Sequence, residues 1–161
     1  GEPVTGLAEG RPLFVRSAHD KFNLANFMRT NLYASVGVLK IGNDILFNDE
    51  QVQVDRITGH GGLFKTKGVG QRILAAAINS PIYVMETAGE GGAWGIALLA
   101  AYMENKRPNQ SLACYLDEVV FAGEAGEEIA PTAEEVAGFN TYIENYKLGL
   151  GIEEAAVKCK K

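Results

Sequence analysis

A glycine-rich segment near the middle of the chain carries the residues best suited to binding a ligand. Residues 56–71 read RITGHGGLFKTKGVGQ, which predicts a strand, a turn with several glycines and the start of a helix. Glycines permit positive φ angles and let a flat ligand approach the main chain, while a helix N-terminus offers N–H groups to an anion. The segment therefore has the features of a nucleotide subsite, although on the pattern alone a tight structural turn is the simpler interpretation.

Two common nucleotide-binding motifs do not fit this segment. Phe64 stands where a P-loop has the glycine that precedes its lysine. Gly59, Gly61 and Gly62 lack the third glycine of a dinucleotide-binding fingerprint in register. If a nucleotide binds here, the turn belongs to another class of site.

The histidines have structural interpretations that compete with chemical ones. His60 lies in the glycine turn with no carboxylate nearby in sequence to orient it as an acid or base. His19 precedes Asp20, which is a candidate N-cap for the following helix. We expect local hydrogen bonding from His60 and a place at the helix entry for His19, and we assign no catalytic residue.

Other polar and aromatic residues near the segment are similarly ambiguous. Glu86 and Glu90 could pair as acid and base, but they follow a strand, where capping or surface roles are expected. Trp94 lies in an apolar helix and is expected in the core, with stacking on a base as the alternative. Lys65 and Lys67 could approach phosphates or remain solvated.

Apolar periodicity predicts the elements that position these residues. We predict strands over residues 52–58 and 82–85, helices over 24–46, 68–79 and 93–103, and a glycine-rich turn over 87–92. The helix over 93–103 is apolar nearly all round, so we expect it to be clamped in the core. Residues 124–128 are expected to form an acidic, solvated loop.

The C-terminal part of the chain predicts one more amphipathic helix. Thr132 and Glu135 fit a capping box at its start. Its apolar face would comprise Val136, Phe139, Ile143, Tyr146 and Leu150. We see no internal repeat.

Composition limits the classes of protein to which the chain can belong. Its 161 residues, 47% hydrophobic and 22% charged, suit one soluble globular domain. The net charge of -5 argues against nucleic acid as a partner, and no apolar run approaches the ~20 residues of a membrane span. The N-terminus has no signal-peptide layout, and Cys114 and Cys159 match no metal-ligand spacing. We therefore expect a cytoplasmic protein with reduced thiols, no bound structural metal and no membrane contact.

The first residues do not look like the start of a fold. Residues 1–12 are punctuated by Gly and Pro, without a capping residue or a strand pattern. We expect the chain to be a piece of something longer.

Two linked motifs resemble the C-terminal domain of FGGY-family carbohydrate kinases. GHGGLFKTKGVGQRILAAAINSPIYV is similar to the family's adenosine-binding segment, in which a Gly-Gly turn leads into a helix with a Gln and then a short strand. METAGEGGAWGIALLAAYM resembles the segment that follows in the family, and GEPVTGLAEGRPLF looks like an upstream loop. The resemblance covers residues 1–104, and the ribulokinase and xylulokinase branch is the most similar.

The resemblance implies an α/β fold, a partial ribonuclease H-like domain of the actin and Hsp70 ATPase type, helix-rich with a small sheet. Residues 1–161 would form one domain portion, with an entry loop over 1–20, a core over 21–104 and a C-terminal extension over 105–161. It also implies that ATP is bound, with adenosine against Gly61 and Gly62. The nucleotide-binding residues carried over by position are Gly59, His60, Gly61, Gly62, Leu63, Lys65 and Gln71.

The same resemblance implies that this chain is inactive alone. The family uses a D-x-G-T turn for phosphate and metal, a catalytic Asp and a G-T phosphate turn, and none of these is in the sequence. We expect the parent enzyme to phosphorylate a ketopentose or related polyol with ATP and Mg²⁺, the metal being held mainly by other parts. The chain would associate with the missing N-terminal part or with itself. The alternative is a non-catalytic interaction or regulatory module on an ATPase-like scaffold.

Overall fold

The chain divides into two compact units that share one helix. The computed structural model describes residues 3–123 and 125–159. The first unit comprises Gly1–Asp55, Ile73–Ser80 and Pro131–Lys161, and the second comprises Arg56–Arg72 and Pro81–Ala130. The helix Val69–Ile78 has residues in both units. The organisation as a single domain stays a prediction.

Helices dominate the described residues, and a small sheet lies in the second unit. The regular elements are α1 (Leu24–Asp44), β1 (Ile57–Thr58), α2 (Val69–Ile78), β2 (Ile82–Met85), α3 (Gly91–Asn105), α4 (Leu112–Tyr115), β3 (Gly126–Ile129) and α5 (Ala133–Lys158). Single π-helical turns extend α1 over Ile45–Asp49 and α4 over Leu116–Val120. The helix-rich α/β architecture with a small sheet is as predicted.

The sheet has the order β1-β2-β3. β1 runs parallel to β2, with Ile57 opposite Ile82, whereas β3 runs antiparallel to β2, with Met85 opposite Gly126. Gly126 lets the Tyr83 side chain lie across β3, because an added Cβ would lie 2.1 Å from the Tyr83 ring. Since parallel strands end at the same sheet edge, the turns that follow β1 and β2 lie next to each other.

The first unit packs α1 against α5 through aromatic and small residues. The rings of Tyr33 and Phe139 lie 4.8 Å apart, and Phe139 and Ile143 are fully buried. Gly37 lets the helices approach, because a Cβ there would meet the Ile143 side chain at 3.6 Å. The predicted apolar face of α5 is confirmed.

The predicted capping box of α5 is also confirmed. The Thr132 hydroxyl accepts a hydrogen bond from the Glu135 backbone N–H, and the Glu135 carboxylate accepts one from Thr132. These bonds satisfy two donors that the start of a helix otherwise leaves unpaired.

Two predictions that concern the sheet were wrong, one of a strand and one of a loop. The strand expected over 52–58 is limited to Ile57–Thr58, because β2 pairs with these two residues and leaves Val52 and Val54 exposed without a ladder partner. The acidic loop expected over 124–128 instead contains β3, whose glutamates face solvent while the backbone pairs with β2. Glu124 lies outside the described residues, as do Gly1 and Glu2 of the predicted entry loop.

Two predictions about helices were also wrong. The expected core helix α3 has an exposed apolar face, with Ile96 72% and Met103 76% exposed. Trp94 on the same helix is half-buried and packs on Phe121, at 5.9 Å between ring centroids. Asp20 does not cap α1, because the cap is Asn23, whose side chain accepts from the Asn26 N–H. Asp20 instead accepts a bond from the Ser17 N–H.

Candidate functional site

Two turns that follow the parallel strands lie in contact. The first turn, residues 59–65, follows β1, and the second turn, Glu86–Glu90, follows β2. The Gly59 N–H donates to the Tyr83 carbonyl at 2.8 Å, and the Gly61 N–H donates to the Ala88 carbonyl at 2.8 Å. The main chain of the first turn is therefore fixed to β2 and to the second turn.

Gly61 and Gly62 present bare backbone to open space. Gly61 has φ 100° and ψ −172°, a conformation that side-chain-bearing residues rarely adopt. Apart from atoms of the adjacent residues in the chain, a Cβ added at either glycine would meet no heavy atom within 4 Å. Gly62 is exposed and Gly61 is half-buried. A flat ligand could therefore lie directly on the main chain here without displacing any side chain.

Two nearby glycines have structural roles. Gly59 is buried under the Phe64 ring, which lies 2.4 Å from the position of an added Cβ. Gly70, at the start of α2, would place a Cβ 2.4 Å from the Leu63 carbonyl oxygen. Both glycines allow the first turn to fold tightly between β1 and the start of α2.

Two side chains of the first turn reach the second turn or the start of α3. The His60 imidazole is exposed, and its Nδ1 lies 3.1 Å from the position a Gly91 Cβ would occupy. The Lys65 ammonium group donates to Glu90 at 2.6 Å, with side-chain exposures of 56% and 76%. The hydrogen bond and charge of Lys65 lower the pKa of the Glu90 carboxyl below its ordinary value. The His60 side chain thus contacts the start of α3, and the Lys65 side chain contacts the end of the second turn.

Gln71 has a structural role that the sequence did not suggest. It is 4% exposed, and its side-chain amide donates to the carbonyls of Ile82 in β2 and Glu127 in β3, each at 2.7 Å. One buried amide thus joins α2 to two strands. Contact between Gln71 and a nucleotide stays a prediction.

A cleft of about 390 Å³ is lined by residues of α2, β2 and β3 and of the segments next to them. An ion pair between Lys67 and Glu127, 3.1 Å long, lies within its lining. Of the residues predicted to bind nucleotide, Gln71 lines the cleft, whereas Gly61 and Gly62 do not. The lining residues are Phe64, Thr66, Lys67, Gly68, Gln71, Val84, Met85, Glu86, Ala125, Gly126 and Glu127.

The charged groups of the second turn are exposed or already paired. Glu90 is engaged by Lys65, and Glu86 at the start of the second turn is exposed. Among residues 3–123 and 125–159, no group of three or more His, Cys, Asp or Glu side chains is placed to hold a metal ion.

Cys114 and Cys159 are free thiols. In the part of the chain that the structure describes, no helix combines the length and apolar character needed to cross a bilayer.

Comparison with known proteins identifies a family. Residues 1–104 match the model for the C-terminal domain of the FGGY family of carbohydrate kinases. No curated protein and no solved structure matches the chain. The matched range includes both turns, α2 and β2, and ends within α3. The resemblance drawn from the sequence motifs is confirmed at the level of the family.

Proposed function

Because this chain belongs to the FGGY family of carbohydrate kinases and carries its C-terminal domain, we propose that its first turn binds the adenosine of ATP. The domain has the ribonuclease H-like fold, as expected. The observation that carries the proposal is the open surface at Gly61 and Gly62, bounded by β1 and α2. A purine ring needs a flat, unobstructed contact, and these two glycines would supply it.

The proposed reaction is phosphoryl transfer from ATP to a ketopentose, such as xylulose or ribulose, or to a related polyol. Support for this substrate class comes from the motifs shared with the ribulokinase and xylulokinase branch. The described residues offer no group that we assign to the sugar. The substrate would then be selected by other parts of a complete enzyme.

The chain would bind nucleotide without completing the reaction. Phosphoryl transfer requires a metal and donors placed around the γ-phosphate, together with a base for the attacking hydroxyl. The sequence has neither the D-x-G-T turn nor the G-T phosphate turn that the family uses. The described residues also lack a carboxylate cluster for Mg²⁺. The metal would be bound by the N-terminal part of the enzyme, which we propose as the chain's partner.

The exposed face of α3 favours a second candidate function. Ile96, Leu99 and Met103 are 72%, 49% and 76% exposed and lie on successive turns of one helix. Such a face suits binding to another protein surface. In a non-catalytic interaction module, variants of this face would abolish function, whereas variants of the glycine turn would have no effect.

The decisive experiment measures MgATP-dependent phosphorylation by the full-length protein that contains this chain, against a panel of ketoses and polyols. Gly62→Val should lower activity at least 10-fold through a higher KM for ATP, because the valine would project into the proposed adenosine surface. Gly138→Val is a matched control, since it also adds a side chain in open space on α5. Activity that is equal in the two variants would count against the proposed adenosine surface.

A further inference from the structure

The ion pair between Lys65 and Glu90 lies near the proposed adenosine surface, since the Lys65 N–H donates to the Gly62 carbonyl at 3.2 Å. Lys65 ends the first turn, and Glu90 ends the second. Their charged atoms are 2.6 Å apart although 25 residues separate them in sequence. The lysine stem also packs along Gly89, where an added Cβ would lie 3.3 Å from its Cγ. The pair is thus a specific cross-turn contact.

The pair is not required to join the two turns. The main-chain bonds from Gly61 to Ala88 and from Gly59 to Tyr83 already hold the first turn in place. Both side chains are more than half exposed, and exposed ion pairs contribute only ~0.2–1 kcal/mol. Lys65 can therefore exchange Glu90 for another anion at small cost.

We propose that Glu90 is a counter-ion for Lys65 that the phosphates of a bound nucleotide displace. The inference rests on the proposed function, because it assumes that adenosine lies at Gly61 and Gly62. In this arrangement Lys65 favours phosphorylated nucleotides over the bare nucleoside. Glu90 weakens that preference by competing for the same ammonium group, so it is a specificity-determining residue that need not touch the nucleotide.

The charges of these groups indicate that Glu90 and a phosphate compete for Lys65. A phosphate carries more negative charge than a carboxylate and accepts several hydrogen bonds from one ammonium group. Glu90 is exposed and therefore ionised at neutral pH, and Lys65 lowers its pKa further below the ordinary value. A phosphate that binds Lys65 must first break the contact of this lysine with the negative charge of Glu90, which costs part of the binding free energy. Removing that charge should therefore strengthen nucleotide binding.

The test compares the dissociation constants of ATP and adenosine, measured by NMR titration, for the whole chain and four variants. Glu90→Gln should bind ATP about 2- to 5-fold more tightly, the range set by an exposed ion pair, and adenosine equally well. Lys65→Gln should weaken ATP binding and leave adenosine binding unchanged. The double variant should match Lys65→Gln, because Glu90 acts through Lys65. Glu90→Asp keeps the charge and should stay close to the unmodified chain.

A matched control is available on α5. Glu154 pairs with Lys158 at 2.6 Å, and its pKa is likewise lowered by its lysine. Glu154→Gln makes the same change in net charge and should alter neither affinity. If Glu90→Gln weakened the binding of ATP and of adenosine equally, the ion pair would be holding the structure of the turns, and the inference would be overturned. ATP affinity that is insensitive to Lys65→Gln would also overturn it. If no protein, including the unmodified chain, bound either ligand, the proposed function itself would fail.

Discussion

The glycines around the proposed nucleotide surface have different structural roles. Gly59 and Gly70 prevent clashes with Phe64 and Leu63, whereas Gly62 leaves its surroundings open. The sequence identified the turn and its glycine content but could not separate these roles. The distinction depends on where the Phe64 ring and the Leu63 carbonyl lie, which tertiary packing determines.

The clearest residue-level prediction concerns Tyr142 in the first unit. Burial, together with the neighbouring Tyr146, raises the pKa of Tyr142 to about 12. In the unfolded chain the phenol ionises near ~10. Stability from the protonated phenol is therefore complete below about pH 10 and is lost as the pH rises toward 12.

Absorbance at 295 nm measures this directly. A tyrosine transition is expected near pH 12, and Tyr142→Phe should remove it. The variant should also lose less stability between pH 10 and 12. Tyr102→Phe is a control on α3 and should retain the late transition. A late transition that persists in Tyr142→Phe would contradict the assignment.

At the scale of elements, the helices were predictable because their apolar periodicity is local. α2 and β2 lie close to the predicted ranges, and the α5 cap follows from two residues. β3 was missed because its sequence, GEEI, is acidic and glycine-containing, and only its backbone pairs with β2. The exposure of α3 was missed because composition does not reveal which neighbours a helix has.

Gln71 is the most important link between elements that the sequence did not reveal. Gln71→Met keeps the side-chain length but removes both donors to β2 and β3. The buried Ile82 carbonyl would lose a partner, so we expect the free energy of unfolding to fall by about 1–3 kcal/mol. Urea unfolding checks this value.

Gln53→Met is the control for that measurement. Gln53 is exposed in the extended segment before β1, so its replacement should change the free energy of unfolding by less than ~0.5 kcal/mol. Equal stability of the two variants would mean that the Gln71 amide does not hold the sheet together.

At the scale of the whole molecule, the family match covers both turns, whereas residues 105–161 lie outside the matched range. The sequence predicted the family because two motifs occur in order at family spacing. It could not predict the surface at Gly61 and Gly62, which depends on φ angles and on the absence of covering side chains. Selection of a particular sugar remains a proposal.

The exposed face of α3 predicts self-association of the isolated chain. Burying Ile96 and Met103 would remove apolar surface from water. Sedimentation should show the mean mass rising with concentration, and an Ile96→Gln, Met103→Gln double variant should reduce the effect. Leu148→Gln, which replaces a 78% exposed leucine on α5, should have little effect. A monomer at every concentration would contradict the prediction.

The most direct test of the central claim is an NMR titration of the ¹⁵N-labelled chain with ATP. Saturable shifts should be largest at the amides of Gly61, Gly62 and Leu63, with weak affinity because the chain carries only part of the site. Gly62→Val should abolish them, and Gly138→Val should not. Shifts confined to residues remote from the first turn, or no shifts at millimolar ATP, would contradict the account.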